Sequence, residues 1–170
     1  MAIALSLLGH VRHSYRPHTM MLAPNVTGRW AQSSATPGSE TAPGLIVYRF
    51  GADLFYANET RFADEVRALV ERAPTPVHWL IIDAGAITDI DYSAAQSIRE
   101  LLEDLRRQGV SMVFARVSSY LRSDIDRHGI AAAIGETQIF TTLHEAIAAA
   151  GFGAGGQHAE GPHSMDEPYS

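Results

Sequence analysis

Two residue types are missing from this chain of 170 residues, which has no cysteine and no lysine. Without cysteine there are no disulfides, no thiolate-bound zinc and no thiol nucleophile, and a reducing compartment is permitted. Without lysine there is no ammonium to reach the phosphates from a Walker-type loop, and no G-x-x-x-x-G-K-[ST] occurs, which excludes a P-loop nucleotidase. All 13 basic residues are arginine, and against 19 acidic residues they leave a formal charge of −6. The arginines form no continuous stripe, so the chain has no electrostatic footprint for a polyanion, and nucleic acid is not expected as a partner. A long apolar run is absent too. The opening "MAIALSLLGHV" falls far short of the roughly 20 residues that cross a bilayer. It also lacks the basic region and the cleavage site of a signal peptide. It reads as an N-terminal arm or the frayed end of a membrane helix.

What is present is enough for one domain, since 46% of the residues are hydrophobic and the length allows a sizeable core. "RPHTMMLAPN" reads as a short strand closed by a Pro-Asn turn, and the Ser-, Thr-, Pro- and Gly-rich segment after it as a surface loop over 32–43. "LIVYRF" is a strand that "DLFYAN" extends after a bulge or bend at Gly51. Phe62, Val66, Leu69 and Val70 then recur at helical spacing, with Asn58 as the cap and Pro74 as the stop. "VHWLIID" has the continuous apolar character of a central strand covered on both faces. The next helix places Ala94, Ile98, Leu101, Leu102 and Leu105 on one face. Its other face carries the i,i+4 pairs Arg99–Glu103 and Glu103–Arg107, and Gly109 closes it.

"VSMVFARV" is a further strand, "SSYLRSDIDRHG" a Ser-capped helix, "QIF" a brief strand and "TTLHEAIAAAG" a last amphipathic helix. The Gly-rich polar stretch 151–170 has no period and is expected to be disordered. This alternation predicts an α/β fold over 18–150, with an arm over 1–17. Its sheet is mixed and centrally parallel, with about four to five strands packed against about four helices.

The chemistry concentrates where a buried strand hands over to a helix, in "LIIDAGAITDIDYSAAQSIRELLEDLRRQG". A side-chain oxygen just ahead of a helix accepts from the unpaired amides of its first turn, and capping by Ser93 or Asp91 satisfies that rule, with Ser93 the expected cap. The same helix start attracts an anion, either a bound phosphate or a phosphate carried on Ser93, against the opposition of Asp89 and Asp91. Ligands of open α/β sheets collect beyond the carboxyl ends of the parallel strands. Three loops qualify: Asp53 to Asn58, Thr88 to Ser93, and Arg116 to Ser119. If they meet, Arg116 offsets the acidic pair and holds an anionic group; the competing reading is a salt bridge on a solvated rim.

Other motifs carry less. "GFGAGG" follows a helix instead of opening one, so it is a linker and not a dinucleotide fingerprint. His10 with His13, and His158 with His163, sit on no element with further ligands, and no metal site is expected. The sequon "NVT" at Asn25 matters only on secretion. No G-x-S-x-G or other catalytic signature occurs, so no catalytic residues are assigned.

Taken together, "PGLIVYRFGADLFYANETRF", "LIIDAGAITDIDYSAAQSIRELLEDLRRQGVSMVFARV" and "LRSDIDRHGI" followed by "IFTTLHEAI" resemble the STAS domain at the C-terminal end of SulP-type anion transporters. The resemblance spans 18–150, and "HVRHSYRPHTMMLAPN" resembles that family's link from the last membrane helix. It implies a non-catalytic regulatory domain on the cytoplasmic face of the inner (plasma) membrane, without a cofactor. The implied partners are the transmembrane domain of its own transporter, a regulatory protein and a guanine nucleotide, GDP or GTP. The nucleotide would lie on Asp53, Asn58, Asp91, Ser93 and Arg116.

Asp91-Tyr92-Ser93-Ala94 also aligns with the Asp-Ser-Ser-Gly motif of the related anti-sigma-factor antagonists, which puts Ser93 on their phosphoacceptor; Tyr92 and Ala94 depart from it. Two rival readings follow. One is a free-standing antagonist regulated by phosphorylation at Ser93. The other is a weak nucleotidase that Asp91→Ala or Ser93→Ala would silence.

Overall fold

The computed structural model describes residues 17–27 and 29–152. A five-stranded sheet has the order β2-β1-β3-β4-β5, built from β1 (Thr19–Pro24), β2 (Trp30–Ser34), β3 (Leu45–Phe50), β4 (Trp79–Asp83) and β5 (Ser111–Ala115). β3, β4 and β5 are parallel, whereas β1 runs antiparallel to both β2 and β3. The helices are α1 (Glu59–Glu71), α2 (Tyr92–Arg107), α3 (Ser119–Arg127), α4 (Ile130–Ile134) and α5 (Leu143–Ala149), with a 3-10 turn at Glu136–Gln138. This is the expected mixed α/β fold with a parallel centre.

Strand alternation sends side chains to opposite faces and so divides the core in two. Ile46, Tyr48, Phe50, Leu80, Ile82, Met112 and Phe114 pack under the apolar stripes of α1 and α2, with Leu121 and Ile125 of α3 and Ile130 of α4 added. Leu45, Val47, Ile81 and Val113 face the other way, towards Ala146 and Ile147 of α5. The predicted stripe of α2, Ala94, Ile98, Leu101, Leu102 and Leu105, is buried as expected.

Several local expectations are corrected. Residues 32–34 are not loop: they end β2, an edge strand whose side chains are all exposed and which pairs residue by residue with β1. Between these two strands the Asn25 side chain, the sequon residue, accepts from the Thr27 and Arg29 amides at 3.0 Å each and so closes the turn. "DLFYAN" does not extend β3; only Leu54 makes a bridge, to Ile90. The "QIF" strand reduces to one bridge, Phe114 to Ile139. The pairs Arg99–Glu103 and Glu103–Arg107 do not form: Arg99 donates to the His128 carbonyl, and Arg107 pairs with Asp104. Asp104 also accepts from Arg67 of α1 at 2.9 Å, and these two arginines hold its carboxyl below the usual range. The arm and tail expectations, and all four of the N- and C-terminal histidines weighed for metal, fall outside the described residues.

Candidate functional site

The three loops meet at one pole of the sheet. They follow the carboxyl ends of β3, β4 and β5, which the parallel register brings level at Arg49, Asp83 and Ala115. The first two loops are joined by backbone: the Leu54 amide donates to the Asp89 carbonyl at 3.1 Å and the Asp91 amide to the Leu54 carbonyl at 3.0 Å. Side chains complete the join. Asp53 Oδ1 accepts from the Thr88 amide at 2.6 Å, the Thr88 hydroxyl at 2.8 Å and the Asp89 amide at 3.1 Å. Asn58, almost wholly buried, accepts from the Phe55 amide at 3.1 Å and donates to the Asp53 carbonyl at 2.9 Å. It stands at the N-cap position of α1 without capping it, because its amide is taken up within its own loop.

Asp91, and not Ser93, caps α2. Asp91 Oδ1 accepts from the Ala94 amide at 2.8 Å, and its Oδ2 accepts from the Tyr56 amide at 3.0 Å. Ser93 is then the second helical residue, exposed, and its hydroxyl makes no hydrogen bond among the described residues. The third loop is tied in by α3: Asp124 Oδ2 accepts from the Ile90 amide at 3.2 Å, and Ser118 caps the helix through the Leu121 amide at 3.2 Å.

Arg116 does not offset Asp89 and Asp91; it makes a salt bridge, the competing reading, but with a buried partner instead of one on a solvated rim. Its Nη1 lies 3.4 Å from Oδ2 of Asp83, a carboxylate with no exposure, which Arg49 also grips at 2.8 Å. The Gly85 amide donates to the other oxygen, Oδ1, at 3.1 Å. Burying a carboxylate is tolerated when charge and hydrogen bonds surround it, as they do here. Arg116 alone among the described non-glycine residues has a positive φ, 58°, a conformation that costs about 1–2 kcal/mol. Gly85 gives its guanidinium room: a Cβ there would lie 2.8 Å from Arg116 Cζ.

Asp89 has a different neighbour. Its carboxyl reaches that of Asp124, and this hydrogen bond, then burial and the repulsion of Asp124 and Asp53, raise its pKa above the ordinary value; Arg127 opposes the shift. The two aspartates border an open depression of about 640 Å³ with Thr88, Ser119, Tyr120 and Ser123. Sequence reasoning missed Asp83, Gly85, Asp124 and the exposed tyrosines Tyr56, Tyr92 and Tyr120. For Asp83 a signal existed, in the lone acid that ends an otherwise apolar strand.

The STAS domain profile matches residues 36–146. The chain belongs to the STAS domain family. A probable sulfate transporter of Mycobacterium tuberculosis is 32% identical over 150 residues, a match covering 87% of this chain and 27% of that protein. The STAS chain thus spans about a quarter of the length of that curated relative. Among solved structures, the murine Solute Carrier 26 family member A9 anion transporter superposes with a TM-score of 0.70 at 18% identity, over 86% of this chain and 24% of that one. The SulP transporter STAS domain from Vibrio cholerae gives a TM-score of 0.50 at 17% identity, over 60% of this chain and 77% of that one. These two likenesses concern the fold alone. Among the described residues of this STAS domain, no helix is long and apolar enough to cross a membrane.

Proposed function

We propose that the chain is the cytoplasmic regulatory STAS domain of a SulP-type sulfate or anion transporter, a non-catalytic part that acts through the pole where the three loops meet. The observation that carries this reading is the use made of the carboxylates. Asp53 and Asp91 are committed to backbone amides, and Asp83 to two arginines. A general base needs an acceptor aimed at a substrate, and these three aim at the protein itself. The groups left outward are a hydroxyl, a guanidinium, phenol rings and the Asp89 carboxyl, which lies against Asp124.

A guanine nucleotide is the proposed small ligand, on the strength of the family resemblance. Asp53, Asn58 and Asp91 would shape its site by holding the loops, while Arg116 and Ser93 would contact it. Titration with GDP or GTP should shift amide resonances in 53–58, 88–93 and 116–119; unchanged spectra at millimolar nucleotide would remove the nucleotide and leave the regulatory reading standing. A second reading, control by phosphorylation at Ser93, is favoured by the exposure of that side chain and its lack of hydrogen bonds. Phosphopeptide mass spectrometry of the protein from growing cells tests it, and an unmodified Ser93 throughout growth counts against it.

A further inference from the structure

The end of the sheet away from the three loops carries a cavity of about 180 Å³. It lies where α2 ends, β5 begins and the chain leaves α4. Leu102, Val110, Met112 and Ile134, all buried, give it an apolar floor. The segments that carry these residues are fixed by backbone hydrogen bonds. The Val110 amide donates to the Leu105 carbonyl at 2.9 Å, the Ser111 amide to the His78 carbonyl at 2.9 Å, and the Gln138 amide to the Gly135 carbonyl at 3.0 Å. An apolar cavity of about 150 Å³ takes up benzene, so there is room here for a six-membered ring.

Three polar side chains complete the lining: Arg106, Ser111 and Gln138, with Arg106 the one charged group. Its Nη2 donates to the Ala133 carbonyl at 2.8 Å, which holds the guanidinium against the end of α4, and no carboxylate among the described residues pairs with it. The carboxyl end of α2 bears a partial negative charge that disfavours an anion, so attracting one falls to Arg106. The Ser111 side chain is exposed beside it. Gln138 sets a second requirement. Its Oε1 is buried and accepts no hydrogen bond among the described residues, a costly state for a carbonyl in a packed interior and one that a ligand's O–H or N–H relieves. Sites for small molecules have this make-up, an apolar surface with a few polar groups that fix orientation.

We propose that this cavity binds a small organic acid of about benzoate's size that also carries a hydroxyl. Its apolar body lies on Leu102, Val110, Met112 and Ile134, its carboxylate meets Arg106 with Ser111 alongside, and its hydroxyl donates to Gln138 Oε1. An inorganic anion would neither cover the floor nor give Gln138 a donor. The site is separate from the nucleotide loops, since Ser111 opens β5 and Arg116 follows its far end.

The probe is para-hydroxybenzoate, titrated into the purified chain and followed by amide resonances. Saturable shifts at 102, 110–112 and 134–138 are expected at millimolar concentration, with none in 53–58, 88–93 or 116–119. Para-hydroxybenzamide keeps the shape and loses the charge, and benzoate keeps the charge and loses the hydroxyl; each should bind about fivefold more weakly. Sulfate at the same concentration should leave these resonances in place. Two variants then assign the groups. Arg106→Gln should weaken para-hydroxybenzoate about fivefold and leave para-hydroxybenzamide unchanged, and Gln138→Leu should abolish the preference over benzoate. Absence of saturation, shifts confined to the three loops, or equal affinity for the three compounds would overturn the proposal. So would an Arg106→Gln chain that unfolds at the same temperature and binds the acid as before.

Discussion

Asp91 and Ser93 stand two positions apart at one helix start, and only one of them holds the structure. Removing the Asp91 side chain leaves the Ala94 and Tyr56 amides without their acceptor, so Asp91→Ala should cost about 1–2 kcal/mol in urea unfolding, and Ser93→Ala less than about 0.5 kcal/mol. Equal costs would mean that the cap is misassigned. The helix start itself is legible in the sequence, but both residues are good acceptors there. What decides between them is the path of the 53–58 loop, which brings the Tyr56 amide to Asp91 and is not written in the local pattern.

Asp89 supplies a prediction about pH. Its carboxyl keeps a proton in the folded chain at a pH where the unfolded chain has released it. Its contribution to stability is thus greatest at low pH and declines as pH rises from the ordinary aspartate value through the raised native one. Asp89→Asn should remove that decline, as read from urea midpoints across the acidic range. An unaltered slope would show that the Asp89–Asp124 contact is not made in solution.

Between the elements, Gly51 passes so close to His18 that it leaves less room for a side chain than any other described glycine. A Cβ at Gly51 would lie 2.5 Å from the His18 carbonyl oxygen, and because that atom is backbone it cannot swing aside. Gly51→Ala should therefore cost about 1–3 kcal/mol, whereas Gly109→Ala tests only a positive φ, with nothing within 4 Å of its Cβ. If thermal unfolding is unchanged by Gly51→Ala, the two segments do not cross as described. Gly51 was visible in the sequence as a break between two apolar runs, though its cause lies in a strand distant along the chain.

The buried strands and α2 were legible because burial imposes a period on the residues. β2 was not, because its Trp-Ala-Gln-Ser-Ser run is exposed on both faces and is held by its pairing with β1. α4 was missed for another reason: five residues between two glycines are too few to establish a helical period.

At the scale of the molecule the two faces of the sheet are unequally covered. Among the described residues, α1, α2, α3 and α4 share one apolar cluster, while α5 is the only helix in the other, with Phe140 and Phe152 beside it. A chain ending at Thr142 should uncover Val47, Ile81 and Val113, bind an environment-sensitive apolar dye and self-associate, as checked by fluorescence and size-exclusion chromatography. A monomeric truncated chain with unchanged thermal unfolding would show that α5 is dispensable to the layer.

The place of β1 has a mechanical consequence. It is an inner strand, hydrogen-bonded to β2 on one side and to β3 on the other, and its first residue lies at the end of the molecule through which the polypeptide arrives. A tug on the preceding residues loads both ladders at once, along the strand axis, in shear, instead of unzipping one rung after another. A displacement applied at Thr19 along that axis would accordingly carry the strand against both neighbours together.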